Sequence, residues 1–561
     1  MSSPSSSVPR RATGGAALVA ALERNGVDAE FGIPGVHNLE IYRHLAVSPI
    51  RTVAVRHEQG AGYAADGHAR VSGRPAVCLT TSGPGATNAC TALATAYADS
   101  VPVLFCSPGP PVGVEGLDLG RLHEMKDERA HFESLVSASI RPTSPEEVGD
   151  AVDAVFAGWG RARRRPFHLE VPVDVLEGTR RVAPDGGIAG GVRGTVVERL
   201  RAIFDSTGPT LTEDAVAAVA RAGPMLSAAR RPLVVLGGGA TAAGDAAREL
   251  AERLGALVVT TVNGKGTVAE THPLSLGASI RLPTARRLVE SADVLVVVGS
   301  ELGDSDLWGE QIVTTGDVVR IDIDPHQLDK NLVATVGICM DATAAIRRLL
   351  ERLERPTSTR ATSAARNAER IRASLRNEAL VEGGPYVAIN RALSSSLPGD
   401  TVVAGDSAQV SYFGTVHFWP MDRAGRFLYP TGYATLGYGL PAAIGAKIAV
   451  PMAPVVVLVG DGGFLFTVQE LLTAVEPRLP LPVVIADNHG YAEIREGMER
   501  RGIAPVGVDR PDVDFAALSR AFGGRGYAVG DIDELCTRVR DALTADGPTV
   551  ISIDVSDSSP A

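Results

Sequence analysis

The chain has no apolar run long enough to cross a bilayer, so a membrane-embedded function is not expected. The run from Gly14 to Leu22 has the length of a signal h-region. It lacks a small-residue cleavage site and passes directly into Glu23-Arg24-Asn25-Gly26, so it reads as the first helix of the fold. Basic residues are in deficit. The 54 Lys and Arg against 65 Asp and Glu leave a net charge of −11, which argues against general nucleic-acid binding. Cysteine is scarce, and Cys78, Cys90, Cys106, Cys339 and Cys536 show no metal-ligand spacing. Cys78 and Cys106 lie in apolar, strand-like runs and are expected to be buried small hydrophobes. A reduced, cytoplasmic residence follows as the default. No short internal repeat is visible, and no complete Gly-x-Gly-x-x-Gly follows Gly237-x-Gly239, which reads as a tight strand-to-helix turn.

What is present is the composition of a globular α/β protein, 45% hydrophobic over 561 residues, enough for three domains. Residues 1–12 are Ser/Pro/Arg-rich and expected to form a disordered tail. A first α/β domain spans 13–180, with strands expected at Val53–Val55, Ala76–Thr80 and Val103–Cys106. A Rossmann-like central domain spans 190–353, with its core at 214–350 after a Gly-rich, irregular passage at 183–213. A polar linker at 354–378 precedes the third domain, 379–561.

The strongest chemical signal lies between Val455 and Tyr491. Val455–Val459 is a short apolar run ending in glycine, as expected for a strand buried on both faces. Val468, Leu471, Leu472 and Val475 repeat at helical spacing until Pro477, and Val483–Ala486 forms a second buried strand. In such a βαβ unit both strands end on the same edge, where open α/β sheets bind ligands. One tip carries Asp461-Gly462-Gly463, the other Asn488-His489-Gly490. A carboxylate from Asp461, a carboxamide oxygen from Asn488 and the carbonyl of Gly490 suit the octahedral oxygen demand of Mg²⁺ shared with a diphosphate. Gly462 and Gly463 let backbone N–H groups approach a phosphate. A lone Gly-Asp-Gly would fit a plain glycine turn equally well; the second polar tip favours the metal reading.

With these two tips the chain resembles the thiamine diphosphate (ThDP) enzymes, whose metal motif is Gly-Asp-Gly, a helix, then Asn-Asn. Asp487 stands in place of the first Asn. The resemblance implies an α/β fold of three doubly wound parallel-sheet domains: pyrimidine-binding, central Rossmann-like and diphosphate-binding. It implies ThDP and Mg²⁺ as cofactors, with FAD in the central domain not favoured. It also implies a homodimer at minimum, more fully a homotetramer, with the pyrimidine domain of one subunit facing the diphosphate domain of another. In Arg56-His57-Glu58-Gln59-Gly60-Ala61, Glu58 matches the glutamate that contacts the pyrimidine N1′. From physics alone it would read as a surface Glu at a helix N-terminus. Leu436, in Gly432-Tyr433-Ala434-Thr435-Leu436-Gly437, matches the apolar wedge beneath the bent cofactor. Ser407, Ala408 and Gln409 match the loop approaching the diphosphate, and Tyr491 follows the metal loop on the cofactor side. The segment Ser82-Gly83-Pro84-Gly85-Ala86-Thr87-Asn88 lines the pyrimidine side in the family, with Gly83 at the turn. His37 and His123 fall where relatives place polar active-site groups.

The substrate is less sharply marked. There is no His-His pair, and Glu493 is displaced by one residue from the carboxylate of yeast-type pyruvate decarboxylases. One step on a helix turns a side chain by about 100°, which speaks against a simple pyruvate decarboxylase. The architecture resembles acetolactate synthase large subunits, whereas the segments around His37, His123 and Asn488–Ile494 resemble 5-guanidino-2-oxopentanoate decarboxylases. A guanidinium tail suits a carboxylate fork, for which Glu124, Glu301, Asp304, Asp306 and Glu493 are candidates, with Glu493 foremost. The expected reaction is non-oxidative decarboxylation of an extended 2-oxo acid through a C2 carbanion/enamine. Acetolactate synthase-like carboligation is the alternative, and a catalytically silent ThDP-fold binding protein a weaker one.

Overall fold

The computed structural model describes residues 13–178, 195–208, 213–354 and 358–556. The chain divides into two compact units, one of residues 1–69 and 74–206, the other of 70–73 and 207–561. The tail at 1–12 lies outside the described residues.

The first unit is built on a parallel sheet of β1 (Ala29–Gly32), β2 (Arg51–Ala54), β3 (Ala76–Leu79), β4 (Val103–Gly109), β5 (Ser139–Ile140) and β6 (Phe167–Pro172). Its strand order is β2-β1-β3-β4-β6-β5. β1, β3, β4 and β6 are buried along their whole length, as required when helices cover both faces. Cys78 and Cys106 are buried among them, as expected. Residues 14–24 form the first helix, capped by Thr13 Oγ1, which accepts from the Ala16 N–H.

The second unit carries two parallel sheets. One runs β11-β10-β9-β7-β8, from β7 (Pro232–Leu236), β8 (Leu257–Thr260), β9 (Val294–Val298), β10 (Asp317–Asp322) and β11 (Val336–Cys339). The other runs β13-β12-β14-β15-β17-β16, from β12 (Val402–Ala404), β13 (Phe427–Leu428), β14 (Val455–Gly460), β15 (Pro482–Asp487), β16 (Arg525–Val529) and β17 (Thr549–Asp554). Counted from its own first strand, this last sheet has the same order as the sheet of the first unit.

Three local expectations are corrected. The passage expected to be irregular contains a helix, Thr195–Thr207, although 179–194 and 209–212 lie outside the described residues. The expected linker is largely a helix, Ser358–Gly383. Its buried Ala368, Ile371, Leu375 and Ala379 recur every three or four residues and join the core around β7–β11. That seam is short and separated by Arg, Asn and Glu, so polarity masked the helical period. Finally, the crossover between β14 and β15 is two short helices, Asp461–Leu465 and Glu470–Val475. Among the described residues no helix is long and apolar enough to cross a membrane.

Candidate functional site

In the first unit the candidate residues gather beyond the carboxyl ends of β2, β1, β3 and β4, which are neighbours in the sheet. Glu58 opens the helix Glu58–Ser72 after β2 and is 9% exposed. Its Oε2 accepts from Asn88 Nδ2 at 2.9 Å, and a Cβ on Gly85 would stand 3.2 Å from its Oε1. His37 follows β1, Ser82 follows β3 and His123 lies in the loop after β4. Ser82 Oγ bridges the two imidazoles, 2.6 Å from His37 Nδ1 and 3.3 Å from His123 Nδ1. The rings meet edge to face with centroids 5.3 Å apart. Burial and the neighbouring His123 hold the His37 pKa below its ordinary value, partly opposed by Glu177. Gly83 has φ +59°, and a Cβ there would lie 2.7 Å from the Cβ and the carbonyl oxygen of His123. Only glycine accepts both the dihedral and the contact. Glu124 accepts from the Leu119 N–H at 3.1 Å and the Arg121 N–H at 2.9 Å, so both its oxygens close its own loop. Those backbone bonds hold its carboxyl below the usual range.

In the second unit the adjacent strands β12, β14 and β15 are followed by Ser407, Asp461 and Asn488 respectively. With its carboxamide oxygen turned inward, Asn488 places that oxygen 2.8 Å from the Gly490 carbonyl and 3.2 Å from Asp461 Oδ1. With the nitrogen turned inward it would donate to both. Octahedral Mg²⁺ ligands at about 2.0–2.1 Å stand roughly 2.9 Å apart when at right angles. The oxygen-inward arrangement therefore has the edge lengths of such a shell, and these residues fit a hard divalent cation. Asp461 is 1% exposed, and its other oxygen, Oδ2, accepts from Arg510 Nε at 2.7 Å. Arg510 also donates through Nη2 to Asp487 Oδ1. The Asp487 carboxylate is thus matched by an arginine. Tyr491 lies over Gly462, whose absent Cβ would come within 2.7 Å of the ring. Gly463 leaves the same kind of room for the Asp406 carboxylate, at 2.3 Å from where a Cβ would be.

Asp406 is fully buried and accepts from the N–H groups of Gly437 at 2.9 Å and Gly439 at 2.6 Å. It thereby pins the loop carrying the half-buried Leu436. Burial pushes its pKa up to about 6 against those backbone bonds. The Ser407 N–H donates to the Thr435 carbonyl, closing the same loop, and Ala408 stands two residues before a π-helical segment, Val410–Thr415. That segment carries Tyr412, which donates to Glu493 Oε2 at 3.0 Å. Gln409 Nε2 is 3.2 Å from both Glu493 Oε2 and Glu496 Oε1, and Arg500 lies on the outer side of the same two acids. Glu301 pairs instead with Lys330, and Asp304 and Asp306 sit in the short helix Asp304–Leu307.

Three models of one family match in sequence: thiamine pyrophosphate enzyme, N-terminal TPP binding domain over residues 12–134, central domain over 219–349 and C-terminal TPP binding domain over 408–553. The chain is 42% identical to a probable 2-ketoarginine decarboxylase AruI of Pseudomonas aeruginosa, across 96% of this chain and 94% of that protein. The chain belongs to the thiamine pyrophosphate enzymes. It is also 33% identical to the acetolactate synthase large subunit of Parasynechococcus marenigrum, over 98% of this chain and 88% of that one. With the acetolactate synthase isozyme 3 large subunit of Escherichia coli the identity is 31%, over 95% and 92%.

In this thiamine pyrophosphate enzyme several positions at the site carry little signal in the sequence. Asn88 and Ser82 were visible only as members of a turn, Asp406 only as part of a loop, and Tyr386 and Arg510 not at all. Asp406 alone left a local signal, an acid directly after an apolar strand and before the Gly437-x-Gly439 turn. Among the described residues no group of three or more His, Cys, Asp or Glu could hold a metal, because the oxygen cluster here is one carboxylate, one amide and one carbonyl.

Proposed function

We propose that the protein catalyses ThDP- and Mg²⁺-dependent, non-oxidative decarboxylation of an extended 2-oxo acid with a basic tail, first of all 5-guanidino-2-oxopentanoate. One arrangement carries this reading. The oxygen cluster of Asp461, Asn488 and Gly490 is joined, through Tyr386 and Gln409, to the Glu493 and Glu496 carboxylates. A paired carboxylate suits a planar guanidinium. The name of the P. aeruginosa relative supports the same substrate.

Bound ThDP supplies the electron sink for loss of CO₂. Asp461, Asn488 and Gly490 would hold Mg²⁺ against its diphosphate, and the loop fixed by Asp406 would present Leu436 to it. Glu58, steadied by Asn88, would hold a proton against its pyrimidine. His37, Ser82 and His123 form a bridged set that can keep a proton at the Nδ1 atoms. Gly83, Ser407, Ala408, Gly462, Gly463 and Tyr491 would line the cofactor. A homodimer is the smallest active form in this reading and a homotetramer the full one, and cytoplasmic residence accords with the five free cysteines.

The second reading is acetolactate synthase-like carboligation, favoured by the acetolactate synthases that match nearly the whole chain. The deciding experiment measures CO₂ release with ThDP and Mg²⁺ from 5-guanidino-2-oxopentanoate, pyruvate and branched 2-oxo acids. Turnover is expected to be highest with the guanidino acid. Acetolactate from pyruvate without turnover of the guanidino acid would overturn the proposal in favour of the second reading. Sedimentation gives the assembly.

A further inference from the structure

Three consecutive hydrogen bonds connect the oxygen cluster to the acidic pair. Asn488 Nδ2 lies 3.3 Å from Tyr386 Oη, Tyr386 Oη lies 3.0 Å from Gln409 Oε1, and Gln409 Nε2 lies 3.2 Å from each of Glu493 and Glu496. Tyr386 and Gln409 are 6% and 9% exposed, so water has little access to either.

The direction of this chain follows from its acidic end. A carboxylate only accepts, so the Gln409 amide must turn its NH₂ toward Glu493 and Glu496. Its oxygen then faces Tyr386 and takes the single hydroxyl proton. A phenol keeps its proton at neutral pH. The phenol oxygen is left with lone pairs, which call for a donor from Asn488. The carboxamide nitrogen therefore faces Tyr386, and its oxygen faces Asp461 and Gly490. The opposite orientation would satisfy Asn488 locally. It would leave the Asn488 oxygen against a phenol oxygen with no proton between them, or turn Gln409 oxygen-first onto two carboxylates. Each costs a buried polar contact.

We propose that Tyr386 and Gln409 are positioning residues that carry the polarity of the Glu493/Glu496 pair to Asn488, holding its oxygen toward the cation. This rests on the reading of Asp461, Asn488 and Gly490 as the Mg²⁺ site. Cation affinity and the charge of the acidic pair are then linked: neutralising the pair loosens Gln409, and with it the orientation of Asn488. Outer partners of metal ligands typically alter metal affinity by about 10–100-fold when removed.

The test is calorimetric titration of the divalent-free protein with Mg²⁺ at saturating ThDP, for wild type, Tyr386→Phe and the double variant Glu493→Gln/Glu496→Gln. Thermal melts of the cofactor-free proteins are run alongside. Tyr386→Phe is expected to weaken Mg²⁺ binding about 10–100-fold, and the double variant to weaken it by a smaller factor in the same direction. A merely structural tyrosine would lower the melting temperature and leave Mg²⁺ affinity unchanged. Affinity within twofold of wild type in both variants overturns the relay. The double variant changes only partly exposed residues and stays readable if Tyr386→Phe fails to fold. Absence of Mg²⁺ uptake by wild type overturns the cation site, and the relay with it; uptake by wild type with unaltered variants overturns the relay alone.

Discussion

Asn88 donates to Glu58 Oε2 at 2.9 Å, tying the first residue of one helix to the last residue of another. The two lie 30 positions apart in sequence, yet this bond orients the carboxyl on which the proposed chemistry depends. A typical hydrogen bond contributes about 0.5–1.5 kcal/mol, so Asn88→Ala is expected to lower kcat about 2–10-fold. Glu58→Gln is expected to remove nearly all exchange of the cofactor C2 proton while ThDP still binds. Proton-exchange NMR on the loaded variants separates the two effects. Unchanged exchange in Glu58→Gln would refute the role assigned to that carboxyl.

Gly83→Ala should displace His123. The new methyl would meet the His123 Cβ and carbonyl at 2.7 Å, and φ +59° disfavours any L side chain. Strain of this kind costs on the order of 1–3 kcal/mol, so a lower melting temperature is expected. Activity should fall further than stability explains, because the His37–Ser82–His123 bridge opens. Comparing Ser82→Ala, which breaks the bridge without backbone strain, shows how much of the loss belongs to the bridge.

Asp406→Asn should weaken ThDP binding by about tenfold or more. The amide has one acceptor oxygen, whereas the carboxylate takes the N–H groups of both Gly437 and Gly439. The loop bearing Leu436 then loses an anchor. Fluorescence titration with ThDP measures the change, and an affinity equal to wild type would show that the loop holds its shape without the carboxylate.

Glu30 makes stability depend on pH. It sits in β1 with no exposed surface, and burial pushes its pKa from 4.5 up to about 8, with Thr52 only partly opposing. Between about pH 4.5 and 8 the folded protein keeps this proton while the unfolded chain has lost it. Stability from this group is therefore full at low pH and declines as pH rises through about 8. Glu128, also pushed up to about 8 by burial and by Glu170, acts in the same direction. Glu30→Gln should melt at a higher temperature than wild type at pH 8.5 and differ less at pH 5. Parallel melting curves for the two proteins across that range would contradict the assignment.

Much of the candidate site was legible because its signals are local. Glycine-ended apolar runs located β14 and β15, and their polar tips named Asp461, Asn488 and Gly490. Glu58 was placed correctly at the start of a helix. Where local signals were mixed, the reading failed. Ser358–Gly383 hid its apolar seam among charges and passed for a linker.

The sequence by itself determined the strand runs, the glycine turns and the chemical type of each strand tip, because these depend on residues within a few positions of one another. Only the tertiary structure decided which tips meet. His37, Ser82 and His123 share hydrogen bonds because β1, β3 and β4 are neighbours in the sheet, an order that no spacing along the chain encodes. The same holds for Arg510 between Asp461 and Asp487, and for the path from Glu493 through Gln409 and Tyr386 to Asn488. Even the shared strand order of the first and third sheets left no visible repeat, since a buried parallel strand asks only for apolar residues and not for particular ones.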